Sequence, residues 1–172
     1  PRAPKIIMKI FDCTTFFNEN LMLEIRFNIL NKYVDKFIIT ESKYSHSGER
    51  KKLNFDIKKF NEFRKKIIYL PIDDEPSNLI YKKNDIILKE SSQDMRMNSI
   101  KRIAYQRNSL SECLNEAEKD DYIFYSDNDE IPNFDKINLN EEKSKLIVFK
   151  QKLFYYKFNL FCDIVDWYGT KG

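Results

Sequence analysis

The chain has 172 residues, 33% of them charged, yet a formal net charge of only +3. An aromatic share of 15% with three glycines and five prolines describes one packed globular domain and excludes a disordered or linker-like chain. The basic residues are dispersed, apart from short clusters at Arg50 to Lys52 and Arg64 to Lys66, so no nucleic-acid surface is expected.

In chain order, KIIMKIFD (5 to 12) reads as a first, central strand ending at Asp12, and CTTFFNEN as the loop after it. Leu21, Leu23, Phe27, Leu30 and Val34, with Ile25 and Ile29 alongside, predict an amphipathic helix over about 20 to 33, capped by Asn18 or Asn20. DKFIITES predicts a second strand ending in Glu41, and SKYSHSGERKKLNF a loop. A short basic helix over 56 to 66 and a third strand, KIIYLPI, closed by Pro71, come next. The polar stretch from 73 to 94 has room for a short helix or a loop. The longest helix is expected from about 97 to 118, on a stripe of Ile100, Ile103, Arg107, Leu110, Leu114 and Ala117. Arg107 interrupts that stripe. It reads either as a rim arginine paired with a carboxylate, or as a cation offered to a phosphate at the strand ends.

DDYIFYSDNDEIP (120 to 132) is the stretch that carries chemistry. An apolar run closed by acid reads as a buried parallel strand, and ligands of open α/β sheets sit beyond such strand ends. Clustered carboxylates repel one another, so Asp127 and Asp129 call for a cation; two aspartates on one turn suit a hard divalent ion completed by water and phosphate oxygens. After a polar loop, KLIVFKQKLFYYKFNLF supplies one or two strands and DIVDWYG closes the chain. The alternation predicts a doubly wound, mainly parallel sheet flanked by helices.

The single histidine, His46, and the lack of G-x-S-x-G, P-loop and G-x-G-x-x-G patterns argue against triad chemistry and glycine-loop phosphate binding. Cys13, Cys113 and Cys162 are far apart and read as reduced, in no zinc-binding spacing. Neither a signal peptide nor an apolar run of membrane-spanning length is present.

FDCTTFFNENLMLEIRFNIL, ITESKYSHSGERKKLNF, YQRNSL and DDYIFYSDNDEIP, in that order and spacing, resemble the family 17 glycosyltransferases, and LFYYKFN and WYGTK extend the likeness loosely. The resemblance implies a GT-A fold in a single domain over residues 1 to 172, a UDP-sugar donor (UDP-N-acetylglucosamine foremost), a glycan acceptor and inversion at the anomeric carbon. It further implies Mn²⁺ or Mg²⁺ held by Asp127 and Asp129. Phe16, Phe17, Asn18 and Glu19 would face the nucleotide, Glu41 and the loop of Ser45, His46, Ser47 and Gly48 would lie by the donor, and Arg107 and Asn108 would border its phosphates. Thr14 and Ser45 depart from the family pattern. The family runs on past position 172, so a fragment lacking the acceptor segment and the catalytic base is expected. No base is nominated; Glu130 reads as a support or a cap. Trp167 and Tyr168 have faces suited to an acceptor sugar or to packing. A cytoplasmic bacterial or viral relative is expected, with a Golgi-lumen fragment as the alternative. An aspartate-based phosphohydrolase and a non-catalytic sugar-nucleotide or glycan-binding module remain as other readings of the same residues.

Overall fold

A computed structural model describes residues 8–80, 92–157 and 159–172. Its centre is a six-stranded sheet in the order β3-β2-β1-β4-β6-β5. Strands β1 (Ile10–Phe16), β2 (Lys36–Ser42), β3 (Ile67–Ile72) and β4 (Tyr122–Ser126) are mutually parallel. Strands β5 (Val148–Phe154) and β6 (Phe161–Lys171) form an antiparallel hairpin, joined to β4 through β6. The sheet is therefore mixed, with a parallel part and an antiparallel edge, and not the doubly wound parallel sheet expected. The reason is local: a short connection between two strands permits only antiparallel pairing, whereas a parallel return needs a crossover of a dozen or more residues.

Two cores occupy the two faces, as the two-residue alternation of a strand requires. On one face Phe37 and Ile39 of β2 and Phe124 of β4 meet Leu23, Phe27 and Leu30 of helix α1 (Asn20–Leu30). Phe27 is the hub, with ring centroids 4.6 Å from Phe37 and 5.3 Å from both Phe60 and Phe63. On the other face Phe11, Cys13 and Ile38 pack against Leu110, which follows helix α2 (Ser92–Ser109). Burial in that apolar setting pushes the Cys13 thiol well up.

Several sequence expectations are corrected. The first strand runs on to Phe16, so Asp12 lies inside it and CTTF is strand, not loop; residues 1–7 lie outside the described part. Helix α1 stops at Leu30, and its cap residue is Glu19 in place of Asn18 or Asn20. Leu21, Ile25 and Ile29 are exposed, because the buried stripe is Leu23, Arg26, Phe27 and Leu30. The basic helix of 56 to 66 is a kinked 3₁₀ segment, Ile57–Phe63. Pro71 does not end β3, which is the sheet's edge strand, where a missing N–H costs no ladder bond. Helix α2 begins at Ser92 and ends at Ser109; residues 81–91 of the polar stretch lie outside the described part. Its buried stripe carries Asn98, Gln106 and Ser109, whereas Ile100 is exposed.

The order 3-2-1-4 turns the chain back across β1, so the crossover to β4 opens a switch point between β1 and β4. In open α/β sheets that crevice, beyond the carboxyl ends of the strands, is where ligands bind.

Candidate active site at the strand ends

The acidic turn stands at this switch point, directly after β4. Beneath it lies Arg26, fully buried on α1. Its Nε donates to Asp12 Oδ2 at 2.7 Å and its Nη2 to Asp12 Oδ1 at 2.6 Å and to Ser126 Oγ at 2.5 Å. Its Nη1 reaches the carbonyls of Asp127, Asn128 and Glu130 at 3.2, 3.3 and 3.1 Å. A planar guanidinium presents five donors in a fixed fork, which is why an arginine can serve a carboxylate and a chain of carbonyls at once. Asp12 stands on β1 two residues before Thr14, whose register partner is Ser126. One buried ion pair thus joins β1, α1 and the turn. Neither partner was anticipated, although a charged residue inside the stripe Leu23, Arg26, Phe27, Leu30 was a readable signal.

Glu130 ties the turn from outside. Its Oε2 accepts from the Asp127 backbone N–H at 3.0 Å, its Oε1 accepts from Trp167 Nε1 at 2.7 Å, and its carbonyl accepts from Thr170 Oγ1 at 2.8 Å. It is a cap and brace, in line with its sequence reading as a support.

A cavity of about 480 Å³ opens over the turn and the ends of β1 and β2. It brings together Phe16, Phe17, Glu19, His46, Arg107, Asp127 and Asp129 from the expected set. Thr15, Ser42, Lys51, Gln106 and Asn128 line it as well. Asn18, Glu41 and Asn108 are not on its wall. The Asn108 carbonyl accepts from Ser111 Oγ at 2.7 Å, and Asn18 donates its backbone N–H to Glu19 Oε2 at 3.1 Å. Glu41 is fully buried and acts at one remove. Its carboxylate accepts from Lys51 Nζ, from the N–H groups of Asn54 and Phe55 at 2.7 and 3.0 Å, and from Tyr69 Oη at 2.9 Å. Asn54 Nδ2 in turn donates to the Phe17 carbonyl at 2.7 Å, so Glu41 fixes the loop that fixes Phe17. Gln106, buried on α2, donates to the Thr40 carbonyl at 2.9 Å and locks that helix to β2.

The loop bearing His46 is a tight turn in which Ser45 Oγ accepts the Glu49 N–H at 3.0 Å. Gly48 has φ +92°, and Arg102 Nη2 lies 2.6 Å from where a Cβ would stand. Both conditions favour glycine there. Burial lowers the His46 pKa below 6.5 and the Arg107 charge adds to this, with Asp127 and Glu19 pulling the other way. At pH 7 the ring is neutral.

Arg107 Nη2 donates to Asp127 Oδ1 at 2.8 Å and its guanidinium lies 5.2 Å from the Tyr125 ring centroid. Tyr125 Oη donates to the same Oδ1 at 3.0 Å. Burial first and the Asp127 charge second push the Tyr125 phenol up, so it remains a donor. Arg107 is thus paired with a carboxylate, as the first of its two sequence readings has it, and it also lines the cavity.

Among the described residues no group of three or more His, Cys, Asp or Glu side chains gathers as a metal cage. The oxygen donors at the turn are those of Asp127, Asp129 and, between them, Asn128, whose Oδ1 is buried without a hydrogen-bond partner among the described residues. Mg²⁺-type ions are commonly held by one or two carboxylates, with phosphate oxygens and water completing the shell, so these residues fit such an ion.

An α/β domain with an acid-edged cavity at its switch point has the architecture in which ligands bind beyond the strand ends. The family model for glycosyltransferase family 17 matches residues 2–171, nearly the whole chain, and the chain belongs to that family. No curated protein and no solved structure gives a significant match. The family makes the chain a glycosyltransferase and sets aside the phosphohydrolase reading of Asp-x-Asp. Among the described residues no helix is long and apolar enough to cross a membrane.

Proposed function

We propose that this domain moves a sugar, N-acetylglucosamine by family likeness, from a UDP-sugar to a glycan hydroxyl with inversion, and that its parallel strands form the donor half of a GT-A-type fold. The observation that carries the reading is the placement of Asp127 and Asp129 on one braced turn, beside Arg107, at the mouth of the switch-point cavity. Asp127 and Asp129 would hold Mn²⁺ or Mg²⁺, which supplies neutralisation of the charge gathering on the departing diphosphate. The acceptor oxygen bonds to the anomeric carbon while the bond to the diphosphate breaks, its electron pair leaving with UDP; the acceptor proton passes to a base.

This chain's own residues orient the donor. Arg107 offers N–H donors to phosphate oxygens from a position already fixed by Asp127 and Tyr125. Neutral His46 offers one donor and one acceptor, and the exposed Phe17 ring offers a face for a base or sugar. Preorganised donors of this kind stabilise developing charge without reorganisation during the reaction.

Calorimetry with UDP, with and without Mn²⁺, tests the proposal. Binding that requires the metal and is lost in Asp129→Ala supports it. A folded chain that binds no UDP in the presence of Mn²⁺ refutes it.

A further inference from the structure

Beyond the donor cavity, the structure carries a second feature on the other flank of the acidic turn. In the sheet, β4 has β1 on one side and β6 on the other. The cavity is built from the β1 and β2 ends and α2, whereas Trp167 comes from β6. The turn of Asp127 to Glu130 stands between them. Trp167 remains 40% exposed, an uncommon state for so large an apolar ring. Its indole N–H is nevertheless fixed on Glu130 Oε1, and the other Glu130 oxygen holds the Asp127 N–H. An exposed ring with an anchored edge is preorganised, since the rotamer entropy of holding it is already spent.

Gly169 permits this close approach. A Cβ there would lie 1.7 Å from Gln151 Oε1 and 3.1 Å from Glu130 Cδ. A side chain at 169 would displace the Gln151 amide from the Thr170 N–H it accepts at 3.2 Å and crowd the Glu130 carboxyl that holds Trp167.

Transfer requires the acceptor hydroxyl within about 3–3.5 Å of the donor's anomeric carbon. With the donor over β1 and β2, the side of the turn left to the acceptor is the β6 side, where Trp167 stands. A pyranose is uncharged and presents a C–H face, and the partner suited to that face is a fixed aromatic ring bordered by hydrogen-bonding groups.

We infer that Trp167, held by Glu130, is a binding platform for a pyranose ring of the glycan acceptor, on the β6 flank of the acidic turn. The inference rests on glycosyl transfer as the activity but not on the identity of the donor. Tyr156 and Phe161 along the same hairpin are also exposed, but among the described residues neither side chain is hydrogen-bonded to the turn.

The chain has one tryptophan and one histidine, so each flank carries its own reporter. Trp167 fluorescence and its indole N–H resonance would be followed while hexose and N-acetylhexosamine disaccharides are added up to about 50 mM, without nucleotide. Saturable quenching or a saturable resonance shift with at least one disaccharide is expected. In Trp167→Ala, saturation-transfer signals on that sugar should fall at least tenfold, while Trp167→Phe, which keeps a ring but loses the Glu130 bond, falls in between. No response from any disaccharide overturns the inference, as does undiminished sugar binding in a folded Trp167→Ala. Should Trp167→Ala not fold, the wild-type titration and Trp167→Phe decide. The His46 resonance during addition of UDP with Mg²⁺ separates this result from the donor proposal: absence of the His46 response alone counts against the donor reading and leaves the platform standing.

Discussion

Replacing Arg26 with methionine would remove the guanidinium beneath the acidic turn while retaining most of the apolar stem. Asp12, 1% exposed, would then face no counter-charge, and the Ser126 hydroxyl and three turn carbonyls would lose their donor. Removing one partner of a buried ion pair costs about 3–5 kcal/mol. The turn carbonyls of Asp127 and Glu130 are only part-buried, and water would recover some of their bonding, so we expect a total of about 4 kcal/mol. Against a domain stability of about 5–15 kcal/mol, that is a large share. Guanidinium denaturation at pH 7 would read the loss as a lower midpoint at unchanged slope. Arg26→Lys keeps the charge but not the fork. It should remain folded, cost about half as much, and speed amide exchange at residues 127 to 130 more than in β2. The double variant Asp12→Asn with Arg26→Met should lose less than the sum of the two single changes, because no unpaired charge is left behind. A loss below about 1 kcal/mol in Arg26→Met would refute the argument that this pair holds the site.

Further outcomes follow from the same geometry. The His46 ring should titrate below 6.5 in an NMR pH series. Because its folded pKa is depressed, its contribution to stability is present above the unfolded value and is lost as pH falls through the folded one. A His46 pKa above 6.5 would contradict the partial desolvation of the ring beside the Arg107 charge. With a thiol reagent at pH 8, Cys13 should stay silent until the protein unfolds, since burial both hides it and pushes its thiol up. Labelling of Cys13 at the rate of Cys162 would refute its place in the core. Phe27→Ala should cost about 3–5 kcal/mol in the same denaturation assay, as it empties the hub of three aromatic contacts. Gly48→Ala should cost about 1–2 kcal/mol, from the left-handed backbone it would have to adopt. A neutral result there would mean the loop relaxes at no cost.

Much of the scaffold was legible because its signals are local. The apolar run of β4 stops at Ser126 and the acidic turn begins at the next residue, as the sequence pattern required. The second strand falls one residue from its expected start. Seven of the expected site residues meet in one cavity: Phe16 closes β1, Arg107 stands on α2, and Phe17, Glu19, His46, Asp127 and Asp129 come from the loops and turns around the strand ends. Glu41 shows where such reading fails. A glutamate closing a strand looks like a ligand contact, yet the loop of Lys51 to Phe55 folds over it and makes it a buried anchor. Asp12 misled in the same way, appearing to end a strand that runs four residues further.

By itself, the sequence determined the order of the first four strands and the two long helices, the position of the acidic turn, and the family likeness, since hydrophobic period and motif order are properties of neighbouring residues. Only the tertiary structure decided that the sheet is mixed, that Arg26 joins Asp12 to a turn about a hundred residues away, and that Trp167 flanks that turn on β6. A buried charge is tolerated only when a distant partner is brought to it. Which partner arrives is fixed by packing across the sheet rather than by anything adjacent in the chain.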